Sequence, residues 1–177
     1  MRLTPLGLDG AILIEVDRIV DARGHFARVF CADELADAGL DVAIVQSSVS
    51  FNAKSGTLRG MHWQTEEHAE TKYVRCTRGA VYDAIVDLRP QSPSYLRWVS
   101  VELSADNQRT LYIPKGFAHG FQTLCDDTEV FYQMTARFAP DAARGARFDD
   151  PAFAIEWPAV PRRIMSDKDL GYPDFQA

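Results

Sequence analysis

Two short segments hold the residues best suited to chemistry: Gly56-Thr-Leu-Arg-Gly-Met-His-Trp-Gln64 and Pro114-Lys-Gly-Phe-Ala-His119. In the second, Pro and Gly fix a tight bend, and a His follows on the next strand. In the first, His62 is followed by Trp63 and Gln64 rather than by a second His two residues on. A catalytic or structural transition-metal site draws on three or four protein ligands, and no such set is evident. What remains is an isolated His with Arg59 and Lys72 at hand. An imidazole is the natural base near neutral pH, and inward-facing cations stabilise an enolate oxygen or a phosphate. The combination suits proton abstraction next to a carbonyl. It suits oxidation or hydrolysis less well.

A His base needs a group to orient its other nitrogen, usually a carboxylate. Asp83, Asp87 and Asp169 are candidates, and spacing does not rank them. Strand alternation places Gly60, His62 and Gln64 on one face. Arg59 suits a phosphate through its bidentate fork, and Lys72 suits a point charge such as an enolate oxygen. Tyr132 shares a face with Val130 and Met134. It reads either as a core tyrosine or as a proton donor facing the base across a cavity. His119 fits a ligand, a phosphate contact or a structural role. His25 and His68 fall in polar segments, and Glu66 and Glu67 make no metal site without a second His.

Such residues need a rigid frame, and the patterning supplies one made of strands. Val81–Leu88 alternates Tyr82, Ala84, Val86 and Leu88 against Asp83 and Asp87, and Glu129–Thr135 alternates likewise. Similar runs lie near 11–16, 43–51, 58–63, 72–76, 97–103 and 110–113, with Gly, Pro, Asn or Asp in most gaps. Only 33–38 reads as a helix, with Asp33 placed to cap it and Gly39 to stop it. Many strands and almost no helix imply an all-β sandwich or barrel, of which the jelly roll is one. A tail carrying Pro151, Pro158, Pro161 and Pro173 is expected to pack irregularly over it.

The 177 residues suit one domain, 1–177. A net charge of −6 argues against nucleic acid as the main partner, although Arg23, Arg28, Arg59, Lys72, Arg75 and Arg78 crowd the first half and could meet an anion. The amino terminus has no long apolar run, so neither signal peptide nor membrane span is expected. Cys31, Cys76 and Cys125 form no close pair and are expected as small buried residues in a reducing cytoplasm.

With these residues in place, the chain resembles the dTDP-4-dehydrorhamnose 3,5-epimerase family, metal-free epimerases of the cupin-type jelly-roll fold. The resemblance runs through Asp21-Ala-Arg-Gly-His-Phe26, Gly56–His62, Lys72-Tyr-Val-Arg-Cys76, Val86-Asp-Leu-Arg89, Ile113–Phe121, Tyr132, Asp149-Asp-Pro151 and Ser166-Asp-Lys-Asp169. It implies that His62 removes the proton next to the C4 ketone and that Asp169 orients it. It implies Tyr132 as the acid on the opposite face and Lys72 as the stabiliser of the enolate. Arg23, Phe26, Gln46, Arg59 and His119 correspond to positions that hold the nucleotide and its diphosphate. Neither metal nor dissociable cofactor is implied, and the partner expected is a second copy, with amino-terminal strands exchanged in a homodimer.

The chain also departs from the family pattern. Ser48 stands for an Asn, Arg28 for a Glu, Ala143 near a Glu, Arg137-Phe138 for a Tyr-Tyr pair, and Phe51-Asn52 interrupts a Ser-rich stretch. The catalytic positions are intact and the departures touch the binding rim. Epimerisation of a nucleotide-linked 4-keto-6-deoxyhexose is therefore the expected reaction, with nucleotide, sugar and number of inverted carbons open. A 3-epimerase, a ketoisomerase, a non-catalytic sugar-binding cupin and a metal-dependent cupin oxygenase are the alternatives.

Overall fold

The alternating runs fold into thirteen strands among the residues that the computed structural model describes, 1–176 apart from the side chain of Glu66. In chain order they are β1 (Arg2–Pro5), β2 (Ile12–Glu15), β3 (Arg18–Asp21), β4 (Gly24–Ala27), β5 (Gln46–Asn52), β6 (Leu58–Gln64), β7 (Lys72–Arg78), β8 (Ala80–Asp87), β9 (Trp98–Ser104), β10 (Thr110–Ile113), β11 (Phe117–Thr123), β12 (Thr128–Met134) and β13 (Ala143–Gly145). Two short helices join them, α1 (Ala32–Asp37) and α2 (Asp167–Leu170). One sheet runs β1-β2-β10-β7-β12-β5 and the other β13-β6-β11-β8-β9, all antiparallel. The hairpin β3–β4 pairs only with itself.

The two sheets face each other across a shared core, the jelly-roll solution for an all-β chain. Leu13, Val74, Leu111, Ile113 and Val130 from the first sheet meet Val81, Ile85, Leu103, Phe117 and Phe121 from the second. Both outer faces are covered as well. Ile14, Tyr73 and Tyr112 lie under α1 through Leu35. Met61, Ala84 and Val86 lie under the tail through Phe153, Ile155, Trp157 and Phe175. The Pro-rich tail has little regular structure and packs on the five-stranded sheet, as its composition implies.

Covering both faces explains β8. Its apolar residues Tyr82, Ala84 and Val86 face the tail, so Asp83 and Asp87 go inward with Val81 and Ile85, and both aspartates are fully buried. A buried carboxylate persists only with partners. Asp87 accepts from Arg89 Nε (2.9 Å) and Nη2 (2.8 Å), from Ser94 Oγ (2.6 Å), and from the Arg89 backbone N–H (3.0 Å). Burial alone would push its carboxyl up, but these bonds and that of Ser92 outweigh it and hold it at about 2.

Three local expectations need correction. The helix begins at Ala32 with Cys31 at the cap, so Asp33 lies in the first turn and caps nothing. Gly39 follows the helix with a positive φ of 80°, which relieves the steric cost of that turn. Strand β5 starts at Gln46, and Ala43–Val45 lies outside it. Of the cysteines only Cys76 is buried, while Cys31 is half-buried and Cys125 exposed.

Candidate active site

His62 sits in β6, flanked by β11 on one side and β13 on the other, with His119 and Gly145 as its register partners. The backbones of β6 and β11 approach closely here, because a side-chain carbon on Gly60 would lie 2.6 Å from the Cα of Gly120. At this point the register shifts, so that Arg59 faces Phe121 while His62 faces His119. Strict alternation would put Arg59 and His62 on opposite faces. The shift brings both to one cavity.

Asp169 reaches His62 from a distant part of the chain. Ser166 caps α2 by accepting the Asp169 backbone N–H (3.1 Å), and the single turn this starts directs Asp169 inward. Its Oδ1 lies 2.8 Å from His62 Nε2, and its Oδ2 accepts the Gly60 N–H (3.4 Å). Burial pushes the Asp169 carboxyl up, but the His62 hydrogen bond and charge, Gly60 and Ser166 prevail and hold it below its usual value. An ionised carboxylate only accepts, so the hydrogen is on Nε2 and the Nδ1 lone pair is the basic atom of His62. The other two candidate partners are engaged elsewhere. Asp83 accepts from His119 Nε2 at 2.9 and 3.0 Å, and Asp87 serves Arg89.

Lys72 opens β7 and Tyr132 lies in β12, next to it in the six-stranded sheet. Met134 is the register partner of Lys72, so Lys72 and Tyr132 are diagonal neighbours. A cavity of about 360 Å³ and a second of about 200 Å³ meet at His62, Lys72 and Tyr132, which line both. The base therefore stands on one sheet, and the tyrosine and the ammonium stand on the other. Facing sheets lie roughly 10 Å apart, room for a sugar ring between them.

The smaller lobe continues to Arg59, His119, Phe121 and Ser50. Arg59 Nε donates to Asn52 Oδ1 (2.8 Å), which fixes the guanidinium at the rim. Ser50 Oγ is buried without a hydrogen-bond partner, as suits a hydroxyl that meets a ligand. The larger lobe continues to Gln46, Ser48, Phe138, Arg144, Lys168 and Tyr172. Gln46 Oε1 accepts the Phe138 N–H (3.1 Å) and so ties the 138 segment to β5. Tyr172 packs over the bare backbone of Gly145 and meets the His62 ring edge-on at 5.8 Å.

Of the nine residues singled out from the sequence, Gln46, Arg59, His62, Lys72, His119 and Tyr132 line the two lobes, and Asp169 backs His62. Arg23 and Phe26 do not. Both lie on the exposed β3–β4 hairpin, where Arg23 pairs with Asp21 (2.6 Å) and Phe26 is 66% exposed. His25 is exposed beside Gln108, and Glu67 and His68 are exposed. The Glu66 side chain lies outside the described residues. Sequence reading assigned no role to Glu70, Arg144, Lys168 or Tyr172. Glu70 alone left a signal, since it stands two residues before Lys72 and hence on the same side of an extended chain.

Comparison with known proteins matches this architecture throughout. Residues 5–177 fit the family model described as dTDP-4-dehydrorhamnose 3,5-epimerase. The enzyme of that name from Sinorhizobium fredii is 45% identical over 99% of this chain and 90% of its own length. The crystal structure of the Bacillus anthracis epimerase, with TDP and PPi bound, is 40% identical with a TM-score of 0.94 and covers 98% of this chain and 99% of that one. The Legionella pneumophila structure, in complex with dTDP-4-keto-L-rhamnose, is 33% identical with a TM-score of 0.92, covering 98% and 92%. A whole-length match on a barrel with a His–Asp pair facing a Lys and a Tyr identifies an isomerase of deoxysugar biosynthesis, and the chain belongs to the dTDP-4-dehydrorhamnose 3,5-epimerase family.

Proposed function

We propose that this chain inverts C3 and C5 of dTDP-4-dehydro-6-deoxyglucose, with His62 as base, Lys72 as enolate stabiliser and Tyr132 as acid. The observation that carries the proposal is the placement of base and acid on opposite walls of one cavity, with the cation beside the acid. The 4-keto group acidifies the protons on C3 and C5. His62 Nδ1 takes one of them, and the electron pair moves into the C–C bond as the carbonyl becomes an enolate. Lys72 holds the charge on O4, where a preorganised cation acts most strongly out of bulk water. Tyr132 returns a proton from the other side, and the centre inverts. Arg59, His119 and Gln46 hold the diphosphate and nucleotide along the lobes.

Incubation with nucleotide-linked 4-keto sugars in heavy water, followed by proton NMR, tests this reading. Deuterium is expected at both C3 and C5, together with inverted product. Exchange at C3 alone would make the enzyme a 3-epimerase, and exchange at neither would leave a binding module.

The hairpin β3–β4 belongs to the same reading. Ile19, Val20 and Phe26 are 68%, 74% and 66% exposed on it, and Val45, Val49 and Phe51 present a further apolar surface at β5. Large apolar residues grouped in this way usually meet a partner. In the homodimer proposed here, each hairpin crosses to the other copy and delivers Arg23 and Phe26 to its nucleotide. Light scattering is expected to give twice the 19.8 kDa chain mass, and a monomeric mass for the active enzyme would end this part of the reading. No described helix is long and apolar enough to cross a membrane, and all three thiols are free. A reducing cytoplasm is the compartment proposed.

A further inference from the structure

Among the described residues, the cavity that would receive a doubly charged diphosphate and an enolate is lined by one carboxylate, that of Glu70. The other charged or titratable groups described in its two lobes are potential cations or phenols: His62 and Arg59 on β6, Lys72 on β7, His119 on β11, Tyr132 on β12, Arg144 on β13, Lys168 on α2, and Tyr172. A carboxylate in such a wall opposes the ligand and loses hydration. Its side chain is only 9% exposed. It persists through two contacts. Oε1 lies 3.1 Å from Lys72 Nζ, itself 13% exposed, and Oε2 accepts from Gln64 Nε2 at 3.2 Å.

Gln64 is the buried hub of this arrangement. Its Oε1 accepts the Ala139 N–H (2.6 Å), and its Nε2 faces the carbonyls of His68 (3.0 Å) and Arg137 (3.3 Å) as well as Glu70. Two amide hydrogens serve three acceptors, so one is shared. The same strand thus carries the base at His62 and, two residues later on the same face, the clamp that locates Glu70.

We propose that Glu70 is a positioning residue for epimerisation: it holds Lys72 as an ammonium against the cavity wall, and Gln64 holds Glu70. The proposal rests on the assignment of Lys72 as the enolate stabiliser. A lysine drawn out of water gives up its proton more readily, and an adjacent anion opposes that loss. The contact also fixes where the ammonium sits in the cavity wall. Gln64 matters because a free carboxylate would compete for the base or turn toward Arg144 or Lys168. Glu70 therefore governs the pH range of catalysis more than its maximum rate.

Glu70→Gln tests this, since the amide keeps the shape and its single carbonyl oxygen can still accept from Lys72, while its NH2 takes the place of the oxygen that faces Gln64. Turnover at pH 7 is expected to stay within about threefold of wild type, while the alkaline limb of the pH profile moves down by about one pH unit, the lower end of the effect of an adjacent opposite charge. In nitrogen-15 lysine spectra, assigned with Lys72→Met, the Lys72 ammonium signal is expected to vanish at lower pH than in wild type. A rate lowered equally at all pH values, with that signal unmoved, would reduce Glu70 to a structural prop and overturn the proposal. Should Glu70→Gln not fold, Glu70→Asp decides, because it keeps the charge one methylene further from Lys72. A smaller shift in the same direction supports the proposal, and no shift overturns it. Full activity of Lys72→Met would instead sink the role of Lys72 itself, a separate result.

Discussion

A His62→Ala variant is expected to lose about 10²–10⁴-fold or more in turnover, the contribution of a general base, while still folding and binding dTDP. Lost turnover and retained binding both follow from the geometry. His62 shares its cavity walls with Lys72 and Tyr132, whereas the residues proposed to hold the nucleotide and diphosphate, Arg59, His119 and Gln46, keep their own anchors on Asn52, Asp83 and the Phe138 backbone. Removal of the imidazole leaves the Asp169 carboxylate with the Gly60 N–H and the Ser166 hydroxyl. A stability loss of roughly 1–3 kcal/mol is the expected scale for stripping one partner from a buried polar group. Asp169 without a base to orient has no proton acceptor to offer at the sugar. Its carboxylate stands behind the wall, and its side chain is 7% exposed. Deuterium uptake at C3 and C5 and calorimetric titration with dTDP measure the two quantities in one preparation. More than a tenth of wild-type turnover would remove His62 from the mechanism.

How far such a site can be read before folding depends on whether its geometry is local. The jelly roll was legible because alternation and turn residues are local signals, and Tyr132 and Met134 took the shared face that period 2 gives them. The partnership of His62 with Asp169 was not legible from residue spacing. The two are 107 positions apart, and their meeting depends on a Ser-capped turn docking on β6. Resemblance pointed to Asp169, and the geometry supplies the reason. Arg59 shows a different limit. Alternation from His62 puts it on the far face, and only the register shift beside Gly60 returns it to the cavity. The inward aspartates of β8 show a third. A strand buried on both faces carries no outward side for its charges, so the polar face is the one that lines the barrel. Arg23 and Phe26 mark the last limit, because one chain does not contain the place where they are proposed to act.

Tyr132→Phe is expected to separate two events that wild type couples. Loss of the hydroxyl leaves His62, Asp169 and Lys72 in place, so abstraction of the C3 proton continues. Delivery of a proton to the other face fails, since Tyr132 and Lys72 are the proton-bearing groups that the six-stranded sheet presents where the lobes meet. Lys72 is held by Glu70 at 3.1 Å and is assigned to O4. The enolate then regains its proton mainly from His62, on the face it left. The variant should wash deuterium into C3 at a rate within about tenfold of wild type while inversion falls about 10²–10⁴-fold, the range for a lost general acid. Tyr132 packs at the edge of the core with Val130 and Phe121 as members of the same cluster, so a purely structural role makes a different forecast. Replacing the hydroxyl by hydrogen changes packing little, and exchange and inversion would then remain together, both near wild type or both lowered with stability. Following exchange and inversion in the same NMR sample distinguishes the outcomes. Equal loss of both in a stably folded variant would mean that the proton reaching the second face comes from another group, and the assignment of Lys72 would be the first to reopen.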